Sequence, residues 1–396
     1  MKAARLPMSD TDIRRVEMMR LVSEGTRSLR SASVVLGVSY RQARRIYKRY
    51  RAEGAEGVIH RSVGKPSHRR LDECLRHRAL DEYRDQYSDF GPTLAAEKLA
   101  ERDGICVDHE TLRRWLICEG MWEVKRNRRH HRERRERRHC FGELVQFDGS
   151  HHRWFEQRAP GCCLMNMVDD ATGTTLSFMA EQETTEAAMR LLWAWIERYG
   201  IPQAVYCDAK SSFVVDREPT ISEALEGIKP RGPFELACHK LGIEVIVARS
   251  PQAKGRVERN HGVYQDRFVK ELRLEKISAI EQANRFLTET YLPLINRKFA
   301  KPPIDPQDAH VPLMGQRLEN LFCFEEQRVV SEDYVLRFES RFYQIKRCKR
   351  KLPWPGTRVI VRKWLDGSIH FFWNKKELRV EEIVPPKKKE RSALSA

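Results

Sequence analysis

The sequence predicts a multidomain chain in three parts: all-α N-terminal modules, a central α/β core with a mixed sheet, and a small C-terminal β-barrel. Three observations predict it. Up to about residue 122, apolar residues recur at helical spacing between turn signals. From about residue 140, short β-prone runs alternate with amphipathic helical ones. From residue 318 the pattern changes to period two, with turns at Gly356 and at Asp366-Gly367. At 396 residues the chain is long enough for several separate cores.

The first module spans residues 1–57. Ser9 or Asp10 can cap a helix to about Ser23, with Ile13, Val16, Met19, Leu21 and Val22 as its apolar stripe. Residues 28–37 form a short helix closed by Gly37. Ser39 then caps a helix over residues 40–53 whose exposed side carries Arg41, Arg44, Arg45, Lys48, Arg49 and Arg51. A short helix, a Gly-Val-Ser turn and a basic helix are the sequence form of a helix-turn-helix, with Arg41, Gln42, Arg44 and Arg45 as its DNA-facing candidates. A plain three-helix bundle with a solvated basic face fits the same pattern. The chain holds 73 Lys+Arg against 56 Asp+Glu, a net charge of +17, and that surplus favours a polyanionic partner without specifying any sequence.

Residues 58–70, with Gly64-Lys65-Pro66, break the periodicity and read as a linker. A second helical module covers 71–122. Pro92 suits a helix start through its fixed φ, and Asp108 caps a helix bearing Arg113 and Arg114. These two are candidate DNA contacts, although surface arginines on helices are commonly just solvated. Residues 123–139 form a basic linker whose run from Lys125 to Arg138 holds nine Lys or Arg side chains, interrupted among acids only by Glu133 and Glu136. Like charge this dense resists packing and suits an arm against phosphate, with Arg128 and Arg129 as candidate contacts. His130, His131, His139 and Cys140 lie nearby without the spacing of a tetrahedral zinc site.

The core runs over residues 140–300. Glu143 to Asp148 is an alternating strand-like run that ends in an acid. Residues 163–169 and 174–180 read as the next two strands, joined by a turn at Asp170-Ala171-Thr172-Gly173. An amphipathic helix over 185–199 turns Ala188, Leu191, Leu192, Trp195 and Ile196 inward. Residues 204–208 are a second short strand with an acid, Asp208, at its end. A helix over 234–241 and a buried strand over 243–248 follow. Ser250-Pro-Gln-Ala-Lys-Gly-Arg-Val-Glu258 is a turn running into a helix, and residues 270–300 continue as helix through Ile277, Ile280, Ala283, Phe286 and Tyr291.

Each acid alone would read as an ordinary turn or surface residue. Together Asp148, Asp208 and Glu258 are hard oxygen donors of the kind that hold Mg²⁺ or Mn²⁺, and a pair of such ions serves phosphodiester chemistry. Lys254, Arg256 and Arg259 flank the glutamate. His261, one turn on, shares its face and is placed to orient a phosphate or water. Gly255 permits close backbone approach at a helix start, where the dipole favours phosphate. Asp169 and Asp170 read as structural turn residues, with room for one of them beside a metal's ligands.

Gln146-Phe147-Asp148-Gly149-Ser150, Tyr206-Cys207-Asp208 and the stretch ending Lys254-Gly-Arg-Val-Glu258-Arg259 together resemble the DDE transposases and retroviral-type integrases. Asp148-Gly-Ser-His-His-Arg-Trp154 and Val168-Asp-Asp-Ala-Thr-Gly173 are most similar to the insertion-sequence transposases grouped as ISNCY. The resemblance covers residues 140–300 closely and the flanking modules by arrangement. The zinc-binding His/Cys module of the retroviral integrases has no counterpart here.

The resemblance implies an RNase H-like fold in which the first and fourth strands are neighbours, so that Asp148 and Asp208 meet beneath the glutamate helix. It implies two Mg²⁺ (or Mn²⁺) ions, with Asp148 bridging both, Asp208 holding one and Glu258 the other. It implies double-stranded DNA as partner, both the element's terminal repeats and the target, and a homo-oligomer of at least two copies on DNA. The implied reaction is nicking at the 3′ end followed by in-line attack of the freed 3′-hydroxyl on target DNA. Two other readings remain: a DNA-binding regulator that uses the core as scaffold, and a metal-dependent nuclease that cuts without joining.

No run of 18 apolar residues and no signal-like N-terminus occurs, and the ten cysteines offer no Cys-x-x-Cys pair, so a reduced cytoplasmic setting on the bacterial nucleoid, away from membranes, is expected. The C-terminal region, 318–384, is expected to expose Lys346, Arg347, Lys349, Arg350 and Lys351, either to hold DNA or a partner subunit or simply as a cap on the core. Residues 385–396 form a charged tail.

Overall fold

A computed structural model of the chain describes residues 8–60, 63, 70–123, 136–208, 213, 218, 224–225, 230–248, 255–347 and 351–384. The chain divides into two compact units, Met1–Arg126 and Asn127–Ala396.

Unit one is helical, and side-chain caps start most of its helices. Helix α1 (Asp10–Ser23) opens with a capping box in which Ser9 and Asp12 satisfy each other's backbone N–H. Helix α2 (Leu29–Val35) and helix α3 (Tyr40–Glu53) begin at Ser28 and Ser39, whose hydroxyls accept from the backbone three residues on. Gly37, at φ +61°, turns the chain between them. Met19, Ala32, Ile46 and Val58 form the small core of this module. Helices α4 (Glu73–Gln86), α5 (Pro92–Arg102) and α6 (His109–Cys118) enclose a second core of Tyr83, Tyr87, Phe90, Leu94, Leu99, Leu112 and Leu116.

Unit two begins with the order β1 (Val145–His152), β2 (Cys162–Asp169), β3 (Thr175–Ala180), α7 (Thr185–Tyr199), β4 (Ala204–Asp208), α8 (Pro233–Leu241), β5 (Glu244–Ala248) and α9 (Gly255–Leu274). The five strands form one mixed sheet in the order β3-β2-β1-β4-β5. The first three pair antiparallel, while β1, β4 and β5 run parallel. Helices α7 and α8 pack on one face and α9 on the other. Phe147, Trp154, Leu164, Leu192, Trp195, Val205, Phe234 and Phe268 are buried within this core, and each such side chain contributes roughly 1.5–3 kcal/mol by leaving water.

The expected continuous helix over 270–300 is interrupted. Helix α9 ends at Leu274, Lys276 takes φ +55°, and Arg158 reaches across to cap the carbonyls of Leu272 and Ile277. Helix α10 (Ile280–Phe286) then passes through a π-helical turn (Leu287–Tyr291) into α11 (Leu292–Phe299). Pro293 has no N–H to donate, and the N–H of Leu292 bonds back to Leu287, which widens the helix at that point.

After α11 the chain returns to the sheet domain. Phe141 bridges to Asp308 and Ile201 to Val311, and the His310 ring lies against Trp195, whose indole N–H donates to it at 3.1 Å. A side chain on Gly142, at φ +84°, would overlap that ring. Seven strands follow: β6 (Cys323–Val329), β7 (Val335–Phe338), β8 (Arg341–Ile345), β9 (Arg358–Trp364), β10 (Ile369–Trp373), β11 (Lys376–Glu377) and β12 (Val380–Ile383). The expected barrel takes the form of two antiparallel sheets, β11-β10-β9-β6 and β12-β8-β7, which share a core of Leu336, Phe338, Tyr343, Ile345, Val359, Val361 and Phe371. The charged tail lies outside the described residues. Among the described residues, no helix is long and apolar enough to cross a membrane.

Candidate active site

Asp148 does not end its strand. It is the fourth residue of β1, which continues to His152 along its antiparallel partner β2, where Asp148 faces Asn166. What ends near Asp148 is the parallel pairing: β1 and β4 are matched at Val145 with Val205 and at Gln146 with Tyr206. The same register two residues on sets Asp148 beside Asp208, the last residue of β4. Side chains alternate across a strand, so Gln146, Asp148 and Ser150 share one face, and Asp208 lies on that face as well. Helix α9 covers it.

Glu258 stands in the first turn of α9, exposed. His261 sits one turn further and is buried, with Nδ1 4.0 Å from Asp148 Oδ2. The sequence suggested a shared face for these two. Instead the helix turns His261 in towards the sheet and leaves Glu258 at the rim, because residues three apart still differ by about 60° around the axis.

A chain of polar contacts fixes α9 on the sheet. Arg256 Nε donates to Asp170 Oδ1 at 2.7 Å. Gln146 donates to the same oxygen at 2.8 Å and accepts the backbone N–H of Val257 at 3.2 Å. Asn166 donates to Asn260 at 2.8 Å and accepts from Thr175 and Ser177. The Tyr264 hydroxyl in turn donates to Ser177 Oγ at 3.0 Å, and full burial pushes the phenol up to about 12. Gln265 reaches Ser150 at 3.2 Å.

Asp169 and Asp170 are both fully buried and play separate parts. Asp169 ties the β2–β3 turn, accepting from the Thr172 backbone and hydroxyl and from the Gly142 N–H; burial raises its pKa. Asp170 holds α9 and also accepts the Arg138 N–H at 2.9 Å. Arg137 donates to the Ala171 carbonyl, and burial, with Arg256 close by, lowers its pKa. Residues 137–138, read from sequence as linker, are therefore docked on the core.

The other DNA candidates fall into three groups. Arg41, Arg44 and Arg45 are exposed on α3 and Gln42 is half-buried beside them. Arg113 and Arg114 both reach Glu110, the first in a bidentate pair at 2.7 and 2.8 Å. Arg259 is exposed on α9 while Arg256 points inward. Arg128, Arg129 and Lys254 lie outside the described residues.

Asn166 and Glu183 had no sequence signal of their own, and Gln146 entered only as part of the motif around Asp148. The carboxylate of Glu183 lies where a side chain on Gly149 would be, 2.7 Å from the ideal Cβ position, so the glycine after Asp148 makes room for it. Among the described residues, the group of His, Cys, Asp and Glu donors lying within 4.8 Å of one another is His151, Cys163 and Glu183, on the opposite face of β1. The three acids do not close to that spacing. Glu258 is exposed, so its side chain has room to change rotamer.

A mixed sheet ordered 3-2-1-4-5, covered on both faces and carrying acids on its two central strands, defines an RNase H-like core of the integrase type, here preceded by helix-turn-helix modules. Residues 14–67 match a helix-turn-helix domain model and residues 42–116 a homeodomain-like domain model. Over 93% of its own length and 80% of the relative's, the chain is 38% identical to "Putative transposase y4bF" of Sinorhizobium fredii. Over 94% of its length and 89% of the relative's, it is 28% identical to the transposase for insertion sequence IS1202 of Streptococcus pneumoniae. The chain belongs to this transposase family. Among solved structures it is similar to the HTLV-2 integrase catalytic core domain in complex with magnesium, at 18% identity and a TM-score of 0.29, over 37% of this chain and 82% of that one. It is also similar to a chain of the simian T-cell lymphotropic virus intasome, at 15% identity and a TM-score of 0.35, over 71% and 93%.

Proposed function

We propose that this transposase binds the ends of its element through the N-terminal helix-turn-helix modules, nicks the 3′ ends and joins them to target DNA, with Asp148, Asp208 and Glu258 as the metal-holding catalytic acids. The observation that carries the reading is the shared register of Asp148 and Asp208 on the sheet face that α9 covers. The donor set fits hard divalent ions: three carboxylates, no thiolate among them, with Asp148 facing His261 at the foot of the helix. Two Mg²⁺ or Mn²⁺ ions, when bound, supply the Lewis acidity that activates a water or 3′-hydroxyl and stabilises the leaving oxygen.

Asp148, Asp208 and Glu258 would hold these ions, with Asp148 on the strand that pairs with β4 and supports α9. Arg259, exposed one residue beyond Glu258, is available to the DNA phosphates near the scissile bond, as the neighbouring Lys254 is by charge. Arg256 is committed to Asp170 and serves the protein instead. Joining two element ends calls for at least two copies of the chain on DNA, in the cytoplasm at the nucleoid.

Purified protein, labelled element-end DNA and Mg²⁺ or Mn²⁺ test this directly. The expected result is metal-dependent 3′-end nicking followed by joined products, both absent in Glu258→Gln. Cutting without joining would make the chain a nuclease, and tight binding without cutting on verified ends would make it a regulator.

A further inference from the structure

We infer that Gln146, Asp170 and Arg256 form a positioning device that sets Glu258 in register with Asp148, so that the metal affinity of the acid site depends on a buried amide and on an ion pair to a buried carboxylate that touch neither metal nor DNA. The inference rests on the assignment of Glu258 as a metal ligand.

The first N–H groups of an α-helix have no acceptor within the helix. Val257, third residue of α9, gives its N–H to Gln146 Oε1 at 3.2 Å, so a strand side chain takes the place of a solvent cap. Gln146 is fully buried, and its Nε2 donates to Asp170 Oδ1 at 2.8 Å, which settles which end of the amide faces the helix. Arg256 donates to that same oxygen at 2.7 Å. Both residues that immediately precede Glu258 are thus fastened to one fully buried carboxylate.

The strand side is equally short. Gln146 lies two residues before Asp148 on the same face of β1. Downstream of Glu258, Asn260 is held by Asn166, the cross-strand partner of Asp148. Glu258 is therefore bracketed, before and after, by contacts to the immediate neighbours of Asp148. A buried charge pair left without one partner is costly, and a partly satisfied buried network loosens what it holds. Outer-shell partners of metal ligands commonly alter affinity or activity by roughly 10- to 100-fold.

The test uses the full chain with Mn²⁺ alone as probe. Gln146→Met keeps the bulk and removes both hydrogen bonds. It is expected to weaken Mn²⁺ binding by calorimetry roughly 10- to 100-fold and to speed amide exchange at residues 255–260 while 264–272 stay as in wild type. Cleavage in Mg²⁺ should fall by a similar factor and recover in part at saturating Mn²⁺. Arg256→Met attacks the same hub from the helix, should give the same pattern if Gln146→Met folds poorly, and Arg256→Lys should restore part of the affinity. Wild-type Mn²⁺ affinity in folded Gln146→Met or Arg256→Met overturns the inference. Glu258→Gln separates it from the reading beneath: if that variant also binds Mn²⁺ as wild type, the assignment of Glu258 is at fault; if it alone loses the metal, only the positioning device is.

Discussion

Helices α3 and α9 both bring arginines to where DNA is expected, and they dispose of them in opposite ways. On α3, Arg41, Arg44 and Arg45 are exposed, and among the described residues no acid lies within 4.0 Å of them. On α9, Arg256 is turned inward to the buried Asp170, leaving Arg259 outside. Helix α6 stands between these extremes: Arg113 and Arg114 are at the surface but share Glu110. All three helices carry a surplus of basic over acidic residues. Their partners show that an arginine's availability to a polyanion is set by the nearest carboxylate, which on α9 lies 86 residues away in sequence.

On the proposed reading, element-end binding lies with α3 and the chemistry with the acids that α9 covers. The largest effect expected is at the acids: Asp148→Asn should reduce cleavage by roughly 10³-fold, several kcal/mol of transition-state stabilisation, while element-end binding stays near wild type. Equal loss of both activities would erase the division. Next is the triple change Arg41→Gln, Arg44→Gln and Arg45→Gln, expected to weaken element-end binding by roughly 10²- to 10⁴-fold and to flatten the salt dependence by about 0.9 in log–log slope for each phosphate no longer neutralised. Filter binding across a salt series reads both, and unchanged slope and affinity would return α3 to the status of a solvated face. Arg256→Gln should show the reverse profile, with cleavage reduced and affinity for the same DNA within about threefold, since its charge is already committed.

A smaller effect is expected at Arg113→Ala, with element-end affinity within about threefold of wild type because Glu110 competes for the guanidinium. A loss as large as that of the α3 triple would place α6 with α3. The smallest effect is in pH. Hydrogen bonds from Arg113, then Arg114, hold the Glu110 carboxyl at about 2, below its ordinary 4.5. The folded pKa is the lower one, so the stabilisation is fully present above about 4.5 and is lost as the pH falls towards 2. The difference in melting temperature between wild type and Glu110→Gln should therefore close over that range, and a constant difference would mean that the pair contributes nothing.

Local features are legible in the sequence because their causes are local. Ser28, Ser39 and Asp108 cap the helices that follow them, Pro92 starts its helix, and the strand and helix order of the core follows from periodicity. The acids are legible by their wording. What is not legible depends on partners far apart in the chain. Nothing near Asp170 announces that it will hold Arg256, and the motif around Asp148 does not announce that Gln146 will receive the Val257 N–H. The run past Asp148 to His152 escapes because polar residues there pair with β2 at the margin of the core. The break at Lys276 escapes because the apolar spacing carries on across it, while the ending is imposed by Arg158 from another segment.

The fastening of α9 has a consequence for how such chains diverge. The start of the helix that carries Glu258 is tied to the sheet by Gln146, Asp170 and Asn166. A substitution at Gln146, Asp170 or Arg256 is therefore expected to persist in a lineage only where the other two change with it, because each leaves a buried partner behind.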